Sequence, residues 1–350
     1  MNDSTKSTFF TANMMFMVLA YAFIGGSLIM QFVGVGFNLS IAIIQYGIIL
    51  IPILSVMRYK GVNIKEKFRL NPIKFWTVVK VILVTFAALP IAYTLNFLVN
   101  FILIKLDMFQ MQTMDLGSGT ASFIMATLLI SITPGICEEF FFRGMIFTGY
   151  EEKMSPMKAM LISGLFFGLF HFNLQNLMLP TFLGIIFAWL VYTTNSLYSS
   201  MIAHGLFNFI GVMIMMNEQG DTSAESLDSA LILLEEQGGQ ILMSLLIVSF
   251  FASAFLFLFM YLLKKDYVHL SVGDTLIIKE HHLKVTDVDD HSINISKDDE
   301  IKVISKDKLK TLDYKISREK KQYSKISKWN YVLIGFVLVL YIGFTVLIYA

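Results

Sequence analysis

The chain has 350 residues, of which 56% are hydrophobic and 15% are charged, and its mean hydropathy is +0.67. A soluble globular chain carries roughly 25% charged residues, so the composition excludes an ordinary water-soluble enzyme. The formal net charge of +1 gives no sign of a nucleic-acid partner, and the single cysteine, Cys137, excludes an internal disulfide.

Long apolar runs predict an all-α polytopic membrane protein with about nine transmembrane helices, because each run is long enough to cross hydrocarbon. The first run lacks the small-residue cleavage pattern of a signal peptide, so we expect a retained span. Pro134 and Gly135 interrupt the fourth run and predict a kink there. The predicted spans are 14–36, 39–57, 75–104, 121–148, 158–174, 178–194, 197–216, 240–263 and 329–349.

The distribution of charge predicts the orientation. Segment 58–74 carries six Lys or Arg residues, whereas segment 217–239 carries six acids and no base. Cytoplasmic loops retain positive charge, so we expect the first segment inside and the second outside. Threading nine helices alternately then places the N-terminus in the cytoplasm and the C-terminus outside, and we expect a bacterial plasma membrane.

One sizeable polar region, 264–328, shows the alternation of β-strands and predicts a small β-rich, barrel-like cytoplasmic module before the last helix. We expect it to lean on the lipid bilayer or on a protein partner, since its core is small. The chain thus divides into helices 1–3 with the basic loop (1–120), helices 4–7 (121–216), an acidic outer loop with helix 8 (217–263), the module (264–328) and the last helix (329–350).

Ionisable side chains are few in the predicted spans, and such residues mark function by default because burying them in a membrane is costly. Counted at 1.5 Å per residue from the cytoplasmic ends, the residues on helices four, five and seven lie at roughly 15, 20 and 10 Å. They therefore share one layer. The candidate residues are Glu138, Glu139 and Arg143 on helix four, His171 on helix five, and His204 and Asn208 on helix seven.

The spacing suggests that these residues have different roles. Glu139 and Arg143 are four residues apart and can form an ion pair, whereas Glu138 points about 100° away and is free for another task. A carboxylate beside an imidazole in a low-dielectric cavity can deprotonate water. A second imidazole and a carboxamide on one helix face can donate hydrogen bonds to an oxyanion.

Three motifs carry a resemblance to a known family. They are Glu138-Glu139-x-x-x-Arg143, then Phe167-x-x-x-His171, then His204-x-x-x-Asn208, in this order and on separate predicted helices. Together they resemble the CPBP (CAAX protease and bacteriocin-processing, Abi) family of intramembrane endopeptidases, over about residues 120–215. The beta-rich insertion and the ninth helix lie outside this resemblance.

The resemblance implies a glutamic-type hydrolase without a cofactor, acting on a peptide or membrane-associated protein. We expect cleavage near the cytoplasmic face, because the estimated depth of the site favours access from there. The implied roles are a catalytic carboxylate (Glu138), a residue that helps to hold the water (His171), two oxyanion stabilisers (His204, Asn208), two supporting residues (Glu139, Arg143) and a packing residue (Phe167).

Other interpretations remain open at this stage. A zinc ion held by Glu138, His171 and His204 is the alternative within the enzyme class. A non-proteolytic membrane scaffold or bacteriocin-immunity protein acting through its 264–328 module is the alternative outside it. A proton-coupled transporter is disfavoured because the chain shows no evident inverted repeat. Asn208 could also have only a structural role, as an interhelical hydrogen-bonding residue.

Overall fold

The computed structural model describes residues 4–110, 116–218 and 224–267, five strands between 275 and 317 with the pair 308–309, and scattered positions from 332 to 345. The chain forms two compact units, which are described separately. The first comprises Met1–Phe259 with Lys325–Ala350, and the second comprises Met260–Ser324.

The described part of the first unit is helical. Six of its helices are long and apolar enough to cross a membrane, which makes this a multi-pass membrane protein; α6 and α7 are apolar but shorter. Most of the predicted ninth span lies outside the described residues, so that helix stays a prediction. The helices are α1 (Ser4–Val33), α2 (Phe37–Tyr59), α3 (Ile64–Lys67), α4 (Phe75–Lys105), α5 (Gly119–Glu151), α6 (Pro156–Leu169), α7 (Met178–Thr194), α8 (Leu197–Glu218) and α9 (Ala224–Lys265).

Two helices are longer than the hydropathy pattern predicted. Helix α1 begins at Ser4 rather than at residue 14. Helix α9 has 42 residues and includes 224–239, which we expected to be part of an outer loop. Acids near a helix N-terminus interact favourably with the helix dipole, and the Leu, Ala and Glu residues in this stretch are good helix formers.

One helix is shorter than predicted. Helix α6 ends at Leu169 rather than at residue 174, because Phe172 adopts a left-handed backbone conformation with φ of 47°. The side chain of Asn173 then accepts a hydrogen bond from the backbone N–H of Gln175, which forms a local turn. His171 therefore lies in the turn that follows α6 and not on the helix.

The basic segment 58–74 folds against one end of the helical unit. Its Phe68 side chain is fully buried, and the ring meets that of Phe140 edge to face at 5.2 Å. Lys67 forms an ion pair with Glu152 at 2.6 Å, and Arg69 pairs with Glu151. This segment is thus part of the packed structure.

The second unit contains an antiparallel five-stranded sheet in the order β4-β3-β2-β1-β5. The alternation of apolar and polar residues in 275–279, 282–288 and 292–295 predicts three of these strands, and the structure has them there. Strands β4 and β5 were not predicted, and they form the two edges of an open sheet rather than the expected barrel. The turns that the sequence predicts at 273–274 and 289–290 lie outside the described residues. The strands are β1 (Thr275–Ile278), β2 (His281–Val288), β3 (Ser292–Lys297), β4 (Glu300–Ser305) and β5 (Tyr314–Ser317), around a core of Leu276, Val285, Ile293, Ile295 and Leu309.

Candidate active site

Helix α5 changes its winding on both sides of the residues that carry the predicted chemistry. Glu138 and Glu139 lie in the α-helical turn Thr133–Glu139, and this turn is flanked by the π-helical stretches Thr127–Ile132 and Phe140–Phe147. A third π-helical stretch, Ile43–Leu50, lies in α2. π-Helical turns are rare and occur frequently at functional sites.

A chain of three buried polar side chains crosses from α5 to α8. The guanidinium of Arg143 donates to Glu139 Oε1 at 2.5 Å, and the Nδ1 atom of His204 lies 2.8 Å from the same oxygen. The side chains of Arg143 and Glu139 are 0% exposed and that of His204 is 4% exposed. The i, i+4 pair predicted from the spacing is therefore present, and it extends to an imidazole on another helix.

Aromatic rings surround the arginine of this chain. The guanidinium carbon of Arg143 lies 4.5 Å from the ring centre of Phe167 and 5.2 Å from that of Phe187. Its second terminal nitrogen donates to the carbonyl oxygen of Gly184 at 3.1 Å. A buried cation needs such compensation, and aromatic faces together with a carboxylate and a carbonyl provide it.

The hydrogen bond to Glu139 determines the tautomer of His204. A carboxylate that is paired with arginine can only accept, so the Nδ1 atom of His204 carries a proton and the Nε2 atom is directed away from Glu139. That Nε2 atom lies 3.9 Å from Glu138 Oε2. Glu138 is 15% exposed, in contrast to the fully buried Glu139. Adjacent carboxylates thus have different environments, and Glu138 is the more exposed of the two.

His171 is held in a similar way. Its Nδ1 atom lies 2.8 Å from the carbonyl oxygen of Phe167, which can only accept, so the Nε2 atom carries the free lone pair of the neutral ring. The ring of Phe167 meets the rings of both His171 and His204 edge to face, at 5.2 and 5.4 Å. His171 is also close enough to Glu138 and His204 to interact with them electrostatically.

Asn208 has a contact that its predicted role did not anticipate. Its Nδ2 atom donates to the carbonyl oxygen of Ile130 at 3.1 Å. Pro134 has no N–H with which to reach that carbonyl in a regular α-helix, so the amide of Asn208 compensates for the proline. Helix α5 continues through Pro134 and Gly135 without a break, and one N–H of the Asn208 side-chain amide is left for another acceptor.

The sequence argument missed Gln45 on α2. Its Nε2 atom donates to Glu138 Oε1 at 2.7 Å, and the residue is 7% exposed. A signal was present, because a glutamine within an apolar span needs a polar partner. Gln45 is uncharged and lies on a different helix from the three motifs, so a search for ionisable groups in the spans does not find it.

The geometry thus brings together six of the seven predicted site residues through contacts: Glu138, Glu139, Arg143, Phe167, His171 and His204. Asn208 lies on the same helix as His204 and contacts α5 rather than these side chains. Within the described residues, no group of three His, Cys, Asp or Glu side chains is arranged to hold a metal ion.

Part of the chain is similar to a known protein family. Residues 120–210 match the family model described as type II CAAX prenyl endopeptidase Rce1-like. The predicted resemblance is confirmed over this segment. The matched segment contains all three motifs and extends from the start of α5 to residue 210 in α8, so it includes the polar chain described above.

The chain is also similar to part of a curated protein. The protein named "Putative membrane peptidase YdiL" of Bacillus subtilis (strain 168) is 35% identical over 89 residues, which is 25% of this chain and 36% of that protein. The chain thus covers about a third of the length of the curated relative that it matches. No solved structure matches the chain significantly.

Proposed function

We propose that this protein is an intramembrane endopeptidase of the glutamic type, in which Glu138 activates a water molecule. The observation that carries the proposal is the buried chain Arg143–Glu139–His204, which directs an imidazole towards the partly exposed Glu138. The match of residues 120–210 to the Rce1-like family supports a peptidase reaction at these residues.

The proposed reaction begins when Glu138 takes a proton from water, with the Nε2 atom of His171 helping to hold that water. The hydroxide attacks the peptide carbonyl, and the oxyanion forms opposite His204 Nε2 and the remaining N–H of Asn208. The proton on Glu138 then passes to the leaving amine, so the peptide bond breaks and the carboxylate is regenerated. General-base catalysis and oxyanion stabilisation can each lower the activation barrier by several kcal/mol. A single oxyanion donor typically contributes about 2.7–4 kcal/mol.

His204 can donate from Nε2 only when it is protonated, because its Nδ1 proton is already directed at Glu139. In the proposed reaction His204 acts as a hydrogen-bond donor to the oxyanion and Glu138 acts as the base.

We keep cleavage near the cytoplasmic face as part of the proposal. Segment 58–74, which its charge favours inside the cell, packs against the C-terminal end of α5 through ion pairs with Glu151 and Glu152. The depth of Glu138, roughly 15 Å from the cytoplasmic end of its helix when counted at 1.5 Å per residue, is compatible with access from that side.

Cleavage of a synthetic peptide library by the purified, detergent-solubilised protein tests the proposed function. The library includes members with a prenylated C-terminal cysteine, and wild type is compared with Glu138→Ala and His171→Ala, each with and without a zinc chelator. We expect cleavage that survives chelation and is lost in both variants. Cleavage by Glu138→Ala at the wild-type rate would contradict the proposal, and loss of wild-type activity on chelation would favour zinc.

A second candidate, a non-proteolytic scaffold or immunity protein, is favoured by the second unit. Its sheet forms a separate compact unit, and the edge strand β4 exposes Ile301 and Val303 at 65% and 66%. Exposed apolar residues on an edge strand are suited to pairing with another chain. If this candidate is correct, Ile301→Lys with Val303→Lys abolishes the cellular function, while Glu138→Ala leaves that function unchanged.

A further inference from the structure

Gln45 lies outside the segment that matches the Rce1-like family, on a different helix from every predicted site residue. It belongs to the π-helical stretch Ile43–Leu50 of α2, and its side chain reaches across to α5. The π-helical winding here and the π-helical stretches on both sides of Thr133–Glu139 mean that both helices depart from regular geometry where they meet. Such departures are retained at sites where side-chain direction matters.

The two oxygens of the Glu138 carboxylate have different contacts. Oε1 of Glu138 accepts from Gln45 Nε2 at 2.7 Å, whereas Oε2 faces His204 Nε2 at 3.9 Å. A hydrogen bond to a carboxylate is charge-assisted and strongly directional. Fixing one oxygen therefore fixes the rotation of the whole group, and it leaves the other oxygen directed into the space between Glu138 and the imidazole.

The environment of Gln45 supports a role beyond joining two helices. The residue is 7% exposed, and its Oε1 atom is buried without a hydrogen-bond partner in the protein. Leaving a buried amide oxygen unpaired lowers stability, a cost that an apolar residue at this position would avoid. Retaining a glutamine here is therefore explained by what it does for Glu138 rather than by its contribution to stability.

We propose that Gln45 is a positioning residue for the peptidase reaction, which holds the Glu138 carboxylate so that Oε2 faces the attacking water. The inference rests on the proposed function of Glu138. Loss of this contact leaves the carboxylate free to rotate, so the catalytic rate falls while substrate binding is little affected. The group that contacts the substrate remains Glu138.

The test compares kcat and KM of wild type, Gln45→Met and Tyr46→Phe in the purified protein, with the best peptide found in the library. Met has nearly the shape of Gln but cannot donate, and we expect kcat to fall on the order of 10-fold to 100-fold, as loss of one charge-assisted hydrogen bond allows, with KM nearly unchanged. Tyr46 is the matched control: it is the next residue of the same stretch, and its hydroxyl bonds to Thr133 Oγ1 on α5 at 3.1 Å without contacting Glu138. Tyr46→Phe should keep the wild-type kcat.

A second comparison separates positioning from a structural role. In a Glu138→Asp background the shortened carboxylate is out of reach of Gln45, so adding Gln45→Met should lower kcat by less than about 2-fold. Wild-type kcat in Gln45→Met, or an equal fall in both backgrounds, would overturn the proposal. If Gln45→Met lowers the unfolding temperature, Gln45→Asn takes its place in both comparisons. Asn retains the amide, but its side chain is one methylene too short to reach Glu138, so the same results are expected. Failure of the proposed function would differ from all of these, because Glu138→Gln would then cleave normally.

Discussion

At the residue scale, we expect the ion pair between Arg143 and Glu139 to stabilise the fold and also to hold the imidazole of His204 in its orientation. Removing one partner leaves the other charge buried and unpaired, which typically costs about 3–5 kcal/mol. We therefore expect Glu139→Leu and Arg143→Met each to lower the unfolding temperature strongly in detergent. The double variant removes both charges and should be more stable than either single variant.

Activity should respond differently from stability in the same series. The double variant Glu139→Leu with Arg143→Met has no carboxylate to hold the Nδ1 atom of His204, so it should stay inactive despite its recovered stability. Thermal unfolding and peptide cleavage measured on the same preparations check this. Recovery of cleavage in the double variant would show that the ion pair only stabilises the fold.

At the element scale, Phe68 joins the basic segment 58–74 to α5. Its ring is fully buried, and a Cβ atom added at Gly144 would lie 2.6 Å from it. Truncating a buried phenylalanine costs about 3–5 kcal/mol, so Phe68→Ala should lower the unfolding temperature markedly. Phe75 is the matched control because it begins α4 and is 71% exposed. Equal effects of Phe68→Ala and Phe75→Ala would contradict this packing.

The helices also show which parts of the fold can be predicted from the sequence. Hydropathy located the membrane helices, since apolar length is what a bilayer demands, and the three motifs located the polar chain on α5 and α8. Hydropathy could not give the ends of α1, α6 and α9, because those ends depend on capping and on the turn at Phe172. The sequence marks Gln45 as a polar residue within an apolar span, but its contact with Glu138 depends on how α2 and α5 pack, which the sequence alone does not give.

At the scale of the whole molecule, the orientation in the membrane decides which peptides can reach the site. The single cysteine, Cys137, is 0% exposed, so the chain provides an unreactive background for labelling. We expect an impermeant maleimide to label Asn176→Cys, in the connection after His171, on intact bacterial cells expressing the protein. Lys65→Cys, in the basic segment, should be labelled only after permeabilisation. The opposite labelling pattern would contradict the proposed orientation.

The measurement that tests the central claim most directly is the cleavage rate of Glu138→Gln compared with wild type. This variant keeps the shape of the side chain and removes only its ability to take a proton from water. With Cys137→Ser as a control for a thiol nucleophile and unfolding temperatures as a control for folding, we predict that Glu138→Gln loses activity on the order of 10²-fold to 10⁴-fold, as loss of a general base does. Cys137→Ser should cleave normally. Wild-type cleavage by a folded Glu138→Gln protein would contradict the account.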